Sequence, residues 1–163
     1  MPTQPETMLA GADNCVFMDM HPVFVGMFWG QTSVEQGTHF LESAQTFVSR
    51  HSGRPHCVLT VVTADSTTPS VELRGLLRDA IAVITEDSTC YAGVILGKGV
   101  KATALRAIMG TLLMAMRHVS KGRVCSSIED GLRWCDQHSQ GLDVERVRAA
   151  VEVQGPAVVS AAL

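Results

Sequence analysis

The stretch HCVLTVVTADSTTPSVELRGLLRDAIAVITEDSTCYAGVIL, residues 56–96, decides how this chain folds. Its opening run, His56 to Thr63, is nearly continuous in apolar and β-branched residues, too short for a typical helix and suited to a strand covered on both faces. After the loop Ala64 to Thr68, Pro69 fits the first turn of a helix. The buried stripe of that helix is Leu73, Leu76, Leu77, Ala80 and Ile84, with Arg74 and Arg78 on its flank. Ser88 to Leu96 then repeats the strand signal through Cys90, Tyr91, Val94, Ile95 and Leu96. A strand, a helix and a second doubly covered strand imply a crossover unit in a parallel sheet.

Working upstream, Cys15–Met20 and Val23–Trp29 are apolar runs broken by His21-Pro22, a candidate strand pair around a proline turn. Thr32 and Glu35 have capping-box spacing and predict a helix start, followed by the apolar positions Val34, Leu41, Ala44 and Val48 with Phe40 and Phe47 alongside. Ser52-Gly53-Arg54-Pro55 stops that helix. Residues 1–12 hold two prolines and no periodic pattern, and are expected to be a flexible leader.

Downstream, Gly97-Lys98-Gly99 turns the chain into a third helix with the apolar set Leu105, Ile108, Met109, Leu112, Leu113 and Met116. Ala, Met and Gly fill much of its other side, so this helix is expected to be central or covered by a partner. Arg123 to Cys125 reads as a last strand, and Ser126 with Glu129 as a capping box before a helix carrying Leu132, Trp134 and Cys135. Val144, Val147 and Val151 mark a final helical patch beyond Gly141. The expected fold is α/β, a mixed and mostly parallel five-stranded sheet with four or five helices in the order ββαβαβαβα. The leader then spans 1–12, the domain 13–138 and a C-terminal extension 139–163.

The size and composition fit one hydrophobic core: 163 residues, 46% hydrophobic and 18% charged. A net charge of −3 supplies no basic field for nucleic acid or anionic lipid, so neither is an expected partner. Met1 to Gly11 lacks a basic region followed by an apolar stretch, and Ala102 to Met116 is too short to span a bilayer, so a cytoplasmic location is expected. Five cysteines without a CxxC pair form neither a disulfide framework nor a zinc motif, and read as small buried hydrophobes. The six histidines show no ligand spacing, so no metal or cofactor is assigned. His56 and Cys57 are adjacent strand residues on opposite faces and cannot form a nucleophile–base pair, and no catalytic residue is identified. Trp29 and Trp134 read as core aromatics.

Beyond the order of elements, Trp29-Gly30-Gln31-Thr32, Leu59-Thr60-Val61-Val62, Pro69-Ser70-Val71-Glu72-Leu73-Arg74, Gly97-Lys98-Gly99-Val100-Lys101-Ala102 and Ser127-Ile128-Glu129-Asp130-Gly131-Leu132-Arg133-Trp134 carry a likeness. From Asn14 to about Gln137 the chain resembles the STAS superfamily of anti-sigma factor antagonists, in particular a STAS-like group of myxobacterial type. The resemblance implies a small non-enzymatic regulatory or scaffold domain that binds another protein, a kinase or a sigma-factor regulator. It also implies switching by phosphorylation on a hydroxyl near the start of the second helix, within Asp-Ser-Ser-Gly. Here Asp65-Ser66-Thr67-Thr68 occupies that place, with Thr67 a hydroxyl replacement and Thr68 in place of glycine, so Ser66 and Thr67 are the candidate phosphosites.

Two further sites are candidates. Lys98, Gly99 and Lys101 lie where a strand hands over to a helix, so amides and ammonium groups there form a candidate anion site, although no GxGxxG or P-loop motif is present. Met109, Met114 and Met116 would make an adaptable interface on the third helix, for a protein partner or a second copy of the chain. The alternative function is therefore a small-ligand module, holding an anion at residues 97–101 or an apolar molecule beneath the third helix, and an enzyme is the third choice.

Overall fold

The computed structural model describes residues 7–114 and 121–154. Six strands form one mixed sheet in sequential order: β1 (Thr7–Ala12), β2 (Cys15–Met20), β3 (Val23–Phe28), β4 (His56–Thr63), β5 (Ser88–Leu96) and β6 (Gly122–Cys125). β1, β2 and β3 pair antiparallel, and β3 through β6 pair parallel. Five helices accompany the sheet among the described residues: α1 (Val34–Arg50), α2 (Val71–Thr85), α3 (Val100–Met114), α4 (Ile128–His138) and α5 (Val144–Gln154). The α/β class and the parallel core agree with the sequence reading.

The strand count differs by one. Thr7–Ala12, expected within a flexible leader, pairs with β2 through a register shift between Met8 and Ala10. The segment Thr-Met-Leu-Ala-Gly-Ala has little β propensity of its own, and the hydrogen-bonding edge of β2 recruits it. The extension 139–163 starts as core, since Val147, Ala150 and Val151 of α5 are buried against the sheet. Arg148 fixes α5 to α4 by donating from Nε and Nη2 to both carboxylate oxygens of Glu129, at 2.8 and 2.9 Å.

Two helix starts shift by a residue from the expected caps, and α2 starts after Pro69 where that residue was expected in its first turn. Ser33, not Thr32, caps α1 and closes a box with Gln36. Ser70 caps α2, leaving Pro69 ahead of the cap, and Ser127 caps α4 by accepting from Asp130 N at 3.2 Å. At α1 and α4 a neighbouring hydroxyl competes for the same orphan amide, and the backbone geometry of the preceding loop selects between them.

Each crossover from β3 to β6 moves one strand in the same direction, so a shared hand puts α1, α2 and α3 on one face. Among the described residues no further strand follows β6, and α4 folds back across the opposite face over β4 and β5, with α5 beside it. The two-residue alternation of each strand sorts the core accordingly. Cys57, Leu59 and Val61 of β4 face α4 and α5, whereas Val58 and Val62 face the other helices. All five phenylalanines collect on the α1 side, where Phe17 stacks on Phe40 at 5.3 Å and Phe24 meets Phe47 edge-on at 5.4 Å. Such pairs contribute about 0.5–1.5 kcal/mol each beyond burial, which anchors α1 firmly.

Candidate functional site

Helix α3 is the least embedded of the helices on its face. Among its described residues only Ala102 is fully buried, and Val100 and Met114 are 87% and 88% exposed. Its inner side chains Leu105, Ile108, Met109 and Leu112 roof a cavity of about 70 Å³ above the sheet. Phe28, Phe40, Leu73, Leu77 and Ile81 form the remaining apolar wall. The glycine at 93 in β5 makes room for this roof, because a Cβ there would lie 2.9 Å from Met109 Cγ.

The polar groups lining the cavity are paired with one exception among the described residues. On the floor, Thr60 Oγ1 and Tyr91 OH share a buried hydrogen bond of 2.9 Å, and burial pushes the Tyr91 phenol above its ordinary pKa despite that bond. At the mouth, Thr32 and Thr67 join through their hydroxyls at 2.7 Å, and Thr32 N donates to Thr67 Oγ1 at 3.0 Å. Gln36 is satisfied by Asn14 O and Ser33 N. Ser66 is 4% exposed, and its Oγ has no partner. An unpaired buried hydroxyl costs about 1–3 kcal/mol, so this atom is the place where a bound hydrogen-bonding group would gain most.

The candidate phosphosites therefore separate. Thr67 is exposed and lies on the surface above α2, tied to Thr32, whereas Ser66 turns inward and lines the cavity. Asp65 accepts from Gly30 N and from Thr63 Oγ1, which holds the segment against the start of α1. Lys98, Gly99 and Lys101 are exposed at the turn before α3. Gly97 and Gly99 have φ of +102° and +93°, so backbone conformation accounts for both glycines. Arg106 braces this turn, donating from Nη2 to Ile95 O at 2.9 Å and Gly97 O at 2.7 Å. Of the three methionines, Met109 points to the sheet, Met114 is exposed, and Met116 lies outside the described residues.

No protein-family model, curated protein or solved structure matches the chain. The site has therefore to be read from its own chemistry. Among the described residues no helix is long and apolar enough to cross a membrane.

The opposite face holds a group that residue spacing conceals. Cys57 and Cys90 are register partners on β4 and β5, and Cys135 reaches them from α4. Their sulfurs all lie within 4.8 Å of one another, all three residues are buried, and none is in a disulfide. Cys90 Sγ stands 3.0 Å from Cys57 Sγ, and Thr89 Oγ1 is 3.3 Å from Cys57. Cys57 Sγ also lies 3.6 Å from the Cys135 carbonyl, a contact that only a protonated Cys57 can donate to. In the sulfur–sulfur contact Cys57 accepts from Cys90, while its own S–H donates to that carbonyl. Hydrogen bonds from Cys135 and Cys90, then from Thr89 and Ser139, lower the Cys57 pKa against the opposing effect of burial. Donation to Cys57, together with burial, raises Cys135. For Cys90 the Cys135 contact favours the thiolate, but donation to Cys57 and burial outweigh it and raise the pKa.

His56 takes no part, since its Nε2 meets Ile84 O at 2.6 Å on the other face. Alternation within a strand separates it from Cys57, as the sequence implies. The parity of positions in two strands was the only available signal for the thiol group, and it needed the strand register to become useful.

Proposed function

We propose that this chain is a non-enzymatic cytoplasmic regulatory module that takes a small, mainly apolar ligand beneath α3 and transmits its occupancy to a protein partner. The observation that carries the reading is the apolar cavity ending on the unpaired Ser66 hydroxyl, roofed by a helix with one fully buried residue. At about 70 Å³ it is smaller than the ~150 Å³ engineered cavity that takes benzene. A short aliphatic chain with one hydrogen-bonding head therefore fits better than a ring.

The same cavity touches both α3 and the segment Ser66-Thr67, so a ligand that lifts the roof alters the segment where the STAS resemblance places phosphorylation and the helix whose apolar composition suggests an interface. Differential affinity for a raised and a seated α3 is all that such coupling needs. Arg106 and the positive-φ glycines 97 and 99 form the fixed end about which α3 would move.

Saturation-transfer NMR with short aliphatic alcohols and the matching alkanes tests this. Alcohol binding is expected in the wild type, loss of both ligands in Ile108→Trp, and selective weakening of the alcohols in Ser66→Ala. Equal saturation transfer in wild type and Ile108→Trp would defeat the reading.

A further inference from the structure

The geometry points to the Cys57, Cys90 and Cys135 sulfurs as a three-coordinate site for a soft monovalent cation, copper(I). Two of the ligands are held on rigid parallel strands in register and the third on a helix packed across them. A trigonal ion at the ~2.3 Å metal–sulfur distance of thiolate sites would hold its sulfurs about 4 Å apart. The observed separations, from 3.0 Å to within 4.8 Å, bracket that value, so small side-chain rotations complete the site. Cys15 and Cys125, the other two cysteines, lie outside the cluster.

Ligand type and coordination number select the ion. Among the described residues the cluster contains no histidine or carboxylate, and the hydroxyl of Thr89 is a hard donor. Zinc in a structural site takes four ligands, whereas soft thiolates in low coordination number suit copper(I). Binding converts the ligating thiols to thiolates, and the protons they release go to solvent with no electron transferred.

A cleft of about 540 Å³ has Thr89 and Ser139 in its lining, and both hydrogen-bond to Cys57, so an ion would enter from this side. His21 and His138 line the same cleft. This inference is independent of the ligand reading, because the thiols and the cavity lie on opposite faces of the sheet.

The test is anaerobic titration of the full chain with copper(I) against bathocuproine disulfonate, followed by X-ray absorption of the loaded protein. One copper per chain is expected to resist the chelator, with a single shell of three sulfur scatterers. Cys57→Ser, Cys90→Ser and Cys135→Ser are each expected to weaken retention by roughly tenfold or more, since even outer-shell changes cost that much. Cys15→Ser and Cys125→Ser should retain copper as the wild type does. Removal of all copper from the wild type overturns the site, as does undiminished retention in a folded Cys57→Ser/Cys90→Ser variant. If the serine variants do not fold, the absorption spectrum of the wild type decides alone: a shell with nitrogen or oxygen, or with only two sulfurs, overturns the assignment. Retention of zinc but not copper overturns the choice of ion.

Discussion

The two faces of the sheet share the same strands, yet their helices sit on them differently. Against α4 and α5, β4 and β5 present Cys57, Leu59, Val61, Cys90, Ala92 and Val94, all fully buried. Gly131 of α4 approaches so closely that a Cβ would lie 2.6 Å from Val94 Cγ2 and 3.0 Å from Leu59 Cδ1. Beneath α3 the same β5 presents Gly93 to the flexible side chain of Met109, and a cavity remains. A closely packed face supplies stability and fixes sulfur positions. A loosely roofed face leaves room for a ligand and for motion, because elements with few buried apolar contacts open at low free energy.

The contrast is open to attack by substitution, most severely at matched leucines. Leu59→Ala is expected to cost about 3–4 kcal/mol, through lost burial and an unrelieved cavity, and Leu105→Ala about 1 kcal/mol, because Leu105 is only half-buried beside existing space. Urea denaturation measures both, and equal costs would remove the distinction between the faces. A smaller effect is expected at the two glycines. Gly131→Ala should cost about 2 kcal/mol by overpacking, and Gly93→Ala under about 1 kcal/mol as Met109 rotates into the cavity. A larger penalty at Gly93 would mean that α3 is seated as rigidly as α4.

The smallest effect concerns the sheet end where His21 stacks on His51 at 4.3 Å. Burial first, then the charges of His51 and Arg54, hold the His21 pKa below its ordinary value of 6.5, while Asp19 opposes them. The folded state therefore binds this proton less readily than the unfolded chain. Its contribution is complete above that ordinary value and declines as pH falls through it. Thermal melts at decreasing pH should show a shallower loss in His21→Gln than in the wild type, and identical slopes would show that other groups govern acid sensitivity.

Much of the fold was legible because it rests on local signals. The runs His56–Thr63 and Ser88–Leu96 became buried parallel strands, and Leu73, Ala80 and Ile84 became buried positions of α2. Caps were legible only to within a residue, since Thr32 and Ser33, or Ser126 and Ser127, offer the same oxygen to the same kind of amide. β1 was not legible, because its pairing energy comes from the edge of β2 and not from its own residues. An apolar pocket beneath the third helix was among the readings, but Ser66 appeared as a surface hydroxyl when its side chain faces inward.

The sequence by itself determined the α/β class, the parallel core and the two doubly covered central strands. These follow from periodicity and propensity, which operate over a few residues. Tertiary structure alone decided that Cys57, Cys90 and Cys135 meet, that Ser66 closes a cavity, and that α4 crosses to the far face. Such facts depend on strand register and helix placement, which are set by the packing of segments distant in the chain and leave no local pattern to read.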